Sequence, residues 1–434
     1  MIGSRTYDIL VVGAGPAGLA AACVAAEAGA RVGLADDNTA AGGQIWRGGP
    51  GKPADAMAAA WFRRAAAARV EMIPSAQVVA RPAPGELLAE AAGEALVLRH
   101  GKLVLAPGAR ERFVPFPGWT LPGVVGAGGI QALLKAGFPV AGKRVVVAGS
   151  GPLLLAVAAA LREHGAEVPV IAEQAPWGRL VRFGLGLVTR PGKLLQGAGY
   201  KLKTLGTRYA AGCWPAAAEG AGQVERVVLR TERDTWTEPC DLLACGFGFV
   251  GSLELPRLLG CAVRDGAVVV DASQETSMPG VWCAGEPTGI GGVDQALVEG
   301  QVAGLAAAGR RAEAGRLFAA RDRARRFGRA LGRAFALRDE LRALATAETI
   351  VCRCEDVPRG RLAACGSWRE AKLHTRCGMG PCQGRVCGGV AEFLFGWGPE
   401  SVRPPIYPVP VGALGADARG GAPSPPGRPL ARST

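Results

Sequence analysis

A strand, a glycine-rich turn and a helix open the chain, and this combination restricts the fold more than any other feature. In DILVVGAGPAGLA the glycines Gly13, Gly15 and Gly18 have G-x-G-x-x-G spacing. The first permits a tight turn, the second lets a pyrophosphate approach the backbone, and the third lets helix and strand pack closely. The helix start at Pro16 and Ala17 supplies amide donors and positive potential for phosphates. The chain therefore begins with a dinucleotide-binding unit of an α/β fold.

The same pattern recurs in residues 143–173, KRVVVAGSGPLLLAVAAALREHGAEVPVIAE. Gly149 and Gly151 are present, but Leu154 stands at the third glycine position, where a side chain pushes helix from strand. Glu173 ends the following strand and is able to accept from an adenosine ribose. No arginine pair for a 2′-phosphate follows, so NAD is favoured over NADP. Three states of this loop stay open: NAD-binding, binding of another adenine nucleotide, or an empty structural domain.

Three further features support the first site. Asp36 ends the strand after the first helix and can accept from a ribose hydroxyl. A GGQ segment includes Gly43 and Gln44, and a late GVWCAGE segment ends in Gly285 and Glu286. This set resembles the FAD-dependent pyridine nucleotide reductase superfamily over about the first 305 residues. The resemblance implies bound FAD, with Glu286 near its ribityl or phosphate region; the alternative is a degenerate domain kept as a scaffold.

Two departures from that superfamily are visible. Its disulfide reductases carry a cysteine pair beside the flavin, but no such pair occurs before Cys213, so a thiol-disulfide enzyme is excluded. In LAPGARER, Pro107 stands where the superfamily usually has threonine, next to Gly108, which we include among the cofactor-binding residues.

The chain has twelve cysteines and no recognisable signal peptide, so a disulfide framework is not expected. Cys352 and Cys354 form one closely spaced pair in VCRCED. TRCGMGPCQGRVC offers Cys377 with Cys382, or Cys382 with Cys387, as the second pair. Four thiolates on such loops suit an iron–sulfur cluster, although zinc and a purely structural thiol group are alternatives.

These two cysteine segments resemble the C-terminal [2Fe–2S] domain of the bacterioferritin-associated ferredoxin type. Such domains are appended to the α subunits of heteromeric FAD-dependent amino- and imino-acid dehydrogenases of the opine oxidase, D-hydroxyproline dehydrogenase and hydrogen cyanide synthase type. The resemblance implies Cys352, Cys354, Cys382 and Cys387 as ligands, with Cys377 spare. Segments such as RERFVPFPGWTLPGV and CAGEPTGIGGVDQALVEG extend this resemblance to about Pro404.

The predicted fold class is α/β: a two-dinucleotide-binding-domain flavoprotein, similar to the pyridine nucleotide-disulfide reductases, plus a small C-terminal helical [2Fe–2S] domain. The predicted segments, in order, are the first part of the FAD-binding domain (1–117), a second nucleotide-binding-like domain (118–268), the return part of the FAD-binding domain (269–308), a basic helical connector (309–348), the [2Fe–2S] domain (349–403) and a flexible tail (404–434).

The resemblance implies an electron-transfer subunit. In this reading, a separate oxidase-like FAD β subunit would oxidise an amino acid or imino acid such as an opine, hydroxyproline, proline or glycine. Electrons would then pass through this chain, and in some assemblies a small ferredoxin-like γ subunit, to a quinone or other acceptor. None of the three histidines, His100, His164 and His374, lies in a catalytic motif, so we assign no catalytic residue. The alternatives are a self-contained NADH-dependent flavin and iron–sulfur reductase and a non-catalytic scaffold protein of the complex.

The net charge of +13 is concentrated in an arginine-rich stretch, residues 310–342. A solvated helical face is favoured over a nucleic-acid site because aromatic residues are not interleaved in a single basic patch. The longest apolar run, residues 145–161, is interrupted by Gly149 to Pro152 and predicts strand, turn and helix rather than a membrane span. We expect a cytoplasmic protein that contacts membranes, if at all, through partners or peripherally.

Overall fold

Two sheets with parallel strands form the body of the protein, in agreement with the two strand–turn–helix motifs. The computed structural model describes residues 3–398 and 402–414. The strands are β1 (Gly3–Val12), β2 (Val32–Ala35), β3 (Glu71–Ile73), β4 (Ala76–Ala80), β5 (Glu86–Ala91), β6 (Glu94–Leu105), β7 (Ala109–Glu111), β8 (Val124–Gly126), β9 (Val145–Gly149), β10 (Val170–Glu173), β11 (Arg208–Ala211), β12 (Trp214–Glu219), β13 (Arg226–Arg230), β14 (Thr235–Pro239), β15 (Leu242–Gly246), β16 (Phe249–Gly251), β17 (Val263–Arg264), β18 (Ala267–Val268), β19 (Val281–Cys283), β20 (Ile350–Cys352) and β21 (Val357–Pro358).

Helices cover both sheets and form most of the C-terminal part. They are α1 (Pro16–Glu27), α2 (Ala56–Ala67), α3 (Ala127–Lys135), α4 (Leu153–Glu163), α5 (Trp177–Gly186), α6 (Pro191–Lys203), α7 (Glu254–Leu258), α8 (Val293–Ala307), α9 (Arg311–Gly315), α10 (Phe318–Ala334), α11 (Arg359–Leu362), α12 (Trp368–Thr375), α13 (Cys387–Phe395) and α14 (Val411–Leu414). Among the described residues no helix is both long and apolar enough to cross a bilayer.

The first sheet has the order β3-β2-β1-β6-β5-β4, and β19 pairs with the end of β6. Strands β1, β2, β3, β6 and β19 run parallel, whereas β4, β5 and β6 form an antiparallel meander. Because parallel strands end at the same edge, the segments that follow β1, β2, β6 and β19 meet there. A strand far along the sequence thus completes the site that the first strand begins.

The second sheet, β11-β10-β9-β15-β8, is parallel throughout. All five residues of β9 and of β15 are buried, as expected for central strands covered on both faces. A separate antiparallel sheet, β12-β13-β14, follows in the chain. The carboxyl ends of β9, β10 and β15 form the second loop cluster.

Helices α1 and α8 lie in direct backbone contact. A side chain at Gly300 would overlap the carbonyl oxygen of Ala17, and one at Gly304 would overlap that of Ala21. Two bare positions one turn apart therefore let α8 approach closely. This contact ties the late segment of the chain to the first helix.

The C-terminal segment was expected to be loose from residue 404, but residues 404–414 pack against the first sheet. The amide of Ile406 donates to Val79 O at 2.8 Å, and both Ile406 and Ala413 are buried. Apolar residues at these positions outweigh the high Pro and Gly content that suggested a loose chain. Residues 415–434 lie outside the described part, and the domain boundaries stay predictions.

Candidate functional site

The first glycine turn connects β1 to α1 with its backbone bare. At Gly13, φ is +102°, and a side chain there would overlap Ala106 O. A side chain at Gly18 would overlap Gly13 O, so helix and strand are in contact as the motif predicts. Gly15 faces open space, with Gly43 Cα, 4.0 Å from an added Cβ, as the nearest atom. The turn is therefore closed on its packed sides and open where a pyrophosphate is predicted.

Asp36 lies directly after β2 and is buried. One carboxylate oxygen accepts from the amide of Ala14, and the other accepts from the amide and side-chain nitrogen of Asn38. Asp36 therefore orders the glycine turn itself; its contact with a ribose stays a prediction. The sequence analysis missed Asn38, although Asp-x-Asn is a typical side-chain-stabilised turn.

The GGQ segment crosses over the glycine turn. The amide of Gly42 donates to Ala14 O at 2.8 Å, and a Cβ on Gly43 would lie 3.0 Å from Gly15 Cα. Gln44 lies beside this crossing and accepts from Arg47. The predicted residues Gly15, Gly43 and Gln44 are thus neighbours, as they must be to surround one ligand.

The return loop after β19 completes this edge. Gly285 has a φ of +81°, and a Cβ there would lie 2.9 Å from that of Ala17. The carboxylate of Glu286 accepts from the amides of Gly291 and Gly292 at 3.3 and 2.8 Å, which lead into α8. Burial raises the pKa of Glu286, and these amide bonds oppose the shift.

Glu299 holds the return loop and was not predicted. Its side chain is fully buried and accepts from the amide of Gly285 at 3.0 Å and the Thr288 hydroxyl at 2.7 Å. Arg325 of α10 donates to the other oxygen at 2.7 Å. A lone acidic residue within the apolar helix sequence ALVEGQVAGLAAA was the available signal, because buried charges are normally paired.

Gly108 follows β6 at the same edge, with a φ of +70° and open space beside it. Two residues on, Arg110 forms a bidentate ion pair with Glu254. Glu111 accepts from the amides of Gly128 and Gly129 in the first turn of α3, in the second sheet's half of the molecule. The segment after β6 therefore joins the two halves.

The second glycine turn, by contrast, is filled by its own chain. Leu154 is buried and packs between α4 and the sheet. The fully buried carboxylate of Glu173 accepts from the amides of Gly151 and Ala175, at 2.7 and 2.8 Å, and from the Ser150 hydroxyl. Burial raises the pKa of Glu173 to about 7. Both oxygens predicted to meet a ribose are therefore engaged within the turn.

Residues 335–338, which we call the strap, lie across this second turn. Ser150 donates to Phe335 O at 3.1 Å. The side chain of Gln174 donates to Ala336 O at 3.2 Å and accepts from the amide of Arg338 at 3.1 Å. The strap thus caps the polar groups at the carboxyl ends of β9 and β10.

Five cysteines converge in the C-terminal part. The sulfur atoms of Cys352, Cys377 and Cys387 lie within 4.8 Å of one another and are buried. Cys382 contacts Cys387 and Cys354, and Cys354 is exposed. The structure thus brings all four predicted ligands into one connected group. It differs from the prediction in that Cys377, expected to be spare, belongs to the buried trio.

Backbone amides aim at these sulfur atoms. The amides of Gly378 and Glu355 donate to Cys352, and those of Gly384 and Val386 donate to Cys382. Hydrogen bonds from the Cys377 and Cys387 thiols are the main cause that lowers the pKa of Cys352 to about 2. Amide donors and thiolate character are what an iron–sulfur site requires.

The loop that carries Cys382 is held under the ring of Trp368. Gly378 and Gly384 have φ values of +80° and +81°, and a Cβ on Gly378 would lie 2.6 Å from that ring. A side chain at Gly380 would collide with the Cβ of Cys354. These glycines therefore allow the two cysteine segments to approach each other.

A cavity of about 310 Å³ lies between the return loop and the cysteine loop. Glu286 and Gly289 line one side, and Trp368, Gln383 and Gly384 line the other. The return loop and the cysteine loop are therefore neighbours in space, although about one hundred residues separate them in the sequence.

Comparison with known proteins gives a consistent result. The model of the pyridine nucleotide-disulphide oxidoreductase family matches residues 7–303. The A subunit of opine oxidase from Agrobacterium tumefaciens (strain Ach5) is 33% identical over 95% of this chain and 92% of its own length. Hydrogen cyanide synthase subunit HcnB of Pseudomonas aeruginosa is 32% identical over 94% of this chain and 99% of its own.

Among solved structures, L-proline dehydrogenase from P. horikoshii has a similar fold. The TM-score is 0.69 at 18% identity, over 95% of this chain and 80% of that one. Thioredoxin reductase from T. acidophilum aligns with a TM-score of 0.55 at 21% identity, over 70% of this chain and 98% of that one. The predicted fold class and resemblance are thereby confirmed. The chain is an oxidoreductase of the pyridine nucleotide-disulphide oxidoreductase family and belongs, within it, with HcnB of hydrogen cyanide synthase and the corresponding opine oxidase protein.

Proposed function

We propose that the chain is the electron-transfer subunit of a heteromeric amino-acid or imino-acid dehydrogenase, with one FAD and one [2Fe–2S] cluster. The cavity between the return loop and the cysteine loop carries the proposal. It is bounded on one side by Glu286, beside the proposed flavin site, and on the other by Gln383 and Gly384, beside the proposed cluster. Two redox groups held at these walls would be close enough to exchange electrons.

The residues present fit a dinucleotide at the first turn. Gly15 and Gly43 leave backbone amides bare at the start of α1, where no side chain caps the helix. Pro16, Ala17 and Gly18 form its first turn and would hold the pyrophosphate by their side of the helix dipole. Asp36 would face the adenosine ribose, and Glu286 the ribityl chain or phosphate. When bound, FAD supplies the ability to accept an electron pair and release single electrons.

The thiol group fits an iron–sulfur cluster. We propose Cys352, Cys354, Cys382 and Cys387 as ligands; the alternative set replaces Cys354 by the buried Cys377. Zinc also binds four thiolates, but a one-electron centre gives a flavin in the same chain a partner. The amides that donate to Cys352 and Cys382 would stabilise the negative charge on sulfur.

Substrate oxidation is proposed to occur on another chain. Burial lowers the pKa of His100 to about 4, which leaves it neutral, and its Nδ1 has no partner among the described residues. His164 bonds the carbonyl of Ala160 at the end of α4, and His374 lies in the last turn of α12. None of the three lines the cavity between the loops. The described part of the chain therefore offers no histidine acid or base beside the proposed flavin site.

The relatives' names support an assembly of several chains, since they are called subunits of opine oxidase and hydrogen cyanide synthase. The alpha subunit of sarcosine oxidase from Rhizobium meliloti (strain 1021) is also 32% identical over 43% of this chain. We propose that the main partner is an oxidase-like FAD β subunit, that a small ferredoxin-like γ subunit lies in the electron path, and that the complex is cytoplasmic.

The second turn is proposed to be structural rather than an entry point for NADH. Its acidic residue, Glu173, is saturated by its own turn, and the strap binds Ser150 and Gln174. A nucleotide would have to displace these bonds. Binding of NAD or another adenine nucleotide remains the alternative, and it would favour a self-contained NADH-dependent reductase.

The substitution Gly15→Ala tests the flavin site. The added Cβ has room in the protein but points into the space proposed for the pyrophosphate. We expect flavin affinity to fall about tenfold or more, which corresponds to a loss of at least ~1.4 kcal/mol. Flavin content after dialysis measures this, with Gly332→Ala on α10 as the control because an added Cβ there meets nothing. Unchanged affinity in Gly15→Ala would contradict the proposed site.

Single cysteine variants separate the two ligand sets. We expect Cys354→Ala to lose most of its iron and its cluster signal in electron paramagnetic resonance, whereas Cys377→Ala keeps both. Cys365→Ala is the matched control, since Cys365 belongs to the same domain but lies outside the thiol group. The opposite result for Cys354 and Cys377 would establish the alternative set, and zinc in place of iron would overturn the cluster.

Anaerobic absorbance spectra test the function itself. We expect NADH to leave the flavin of the purified chain oxidised, because the second turn is closed. The same chain co-purified with its oxidase-like partner should be reduced when an amino-acid substrate such as sarcosine, proline or an opine is added. Dithionite provides the fully reduced reference. Prompt bleaching by NADH alone would instead support the self-contained reductase.

A further inference from the structure

Helices α5 and α6 present apolar stripes to solvent. Trp177, Val181, Leu185 and Val188 recur every three or four residues on α5 and the turn after it, and each is 56–69% exposed. On α6 and just beyond it, the corresponding stripe is 62–72% exposed and consists of Leu195, Leu202 and Leu205. Side chains with this spacing lie on one face of a helix. In most helices of a folded protein that face is buried.

The opposite faces attach the two helices to the protein. Phe183 of α5 packs on Phe327 and Phe335, with ring centroids 6.0 and 5.5 Å apart. Arg190 and Lys193 also lie over the ring of Phe327. No residue of α5 or α6 is buried. The apolar stripes are therefore not the contact that holds the helices in place.

The same region is strongly basic. Residues 174–218 contain no aspartate or glutamate, and the two helices with their connecting turn carry Arg179, Arg182, Arg190, Lys193, Lys201 and Lys203. Lys193 pairs with Asp294, and Lys203 pairs with Glu163. The other four form no ion pair within the described residues.

The neighbouring helix α10 extends this charge. It packs against α5 and exposes four arginines on one face, none of which is in a salt bridge among residues 3–398 and 402–414. They are Arg323, Arg326, Arg329 and Arg333. The stripes and the arginines together form what we call the basic apolar face.

We propose that the basic apolar face binds the surface of an anionic lipid bilayer. Exposed leucine, valine and tryptophan beside lysine and arginine, without acidic residues, are typical of helices that lie in the membrane interface. Anionic headgroups attract such clusters of basic residues. A second copy of this chain is disfavoured as the occupant, because it would bring like charges together.

The glycines of these helices support the same occupant. Gly178, Gly184, Gly192, Gly197 and Gly199 lie in α5 and α6, and an added Cβ at any of them would meet nothing within 4 Å. Glycine weakens a helix unless something else stabilises it, and no close backbone contact requires it here. Burial of the stripes at an interface would supply that stabilisation. The proposal goes beyond the electron-transfer function and does not depend on it.

Flotation with vesicles tests the proposal. The full-length chain, purified with its flavin, is mixed with vesicles of phosphatidylcholine alone or with phosphatidylglycerol added. We expect binding to the anionic vesicles only, and weaker binding as salt is raised. The double substitution Leu185→Ser with Leu195→Ser should lower the partition coefficient roughly tenfold or more. Arg182→Glu should lower it roughly tenfold at low salt.

Two matched variants serve as controls. Leu373→Ser removes a leucine that is 68% exposed on α12, and Arg233→Glu reverses an exposed charge in a distant loop. Both should bind vesicles like the unchanged chain, and flavin absorbance checks that every variant is folded. Absence of vesicle binding, or equal loss in the controls, would overturn the proposal. If the α5 and α6 variants instead lost association with a partner protein but kept vesicle binding, the face would be a protein interface.

Discussion

Backbone contact without intervening side chains is the constraint on which the first half of the structure depends. Gly13 and Gly18 let α1 lie against β1 and β6, and Gly300 and Gly304 let α8 lie against α1. Since β19 also pairs with the end of β6, the late part of the chain is drawn to the edge where the first turn lies. A larger residue at any of these positions would separate elements whose ends must meet to surround one ligand.

The two glycine turns show how one motif can produce two outcomes. At the first turn Gly18 permits close packing, and Gly15 leaves open space where a phosphate is expected. At the second, Leu154 fills the contact between helix and sheet, and the strap bonds the remaining polar groups. The first turn keeps its amides for a ligand, whereas the second has become part of the protein's internal packing.

Local chemistry is what could be predicted from the sequence. The turns, the acidic residue after β2, the late return strand and the convergence of the C-terminal cysteines all follow from spacing and residue type. The strap and the Glu299–Arg325 pair could not be predicted, because each joins groups that only tertiary packing brings together. The same holds for Cys377, whose sulfur meets that of Cys352 across 25 positions of sequence. The packing of residues 404–414 was missed because a Pro- and Gly-rich composition hides a few well-placed apolar side chains.

The account rests on one claim: a single chain holds a flavin and an iron–sulfur cluster on either side of the cavity between the return loop and the cysteine loop. Flash photoreduction of the flavin, with the cluster absorbance followed in time, tests it most directly. Transfer within one molecule predicts that the cluster is reduced at a rate independent of protein concentration. A cluster that stays oxidised, or a rate that rises in proportion to concentration, would contradict the account.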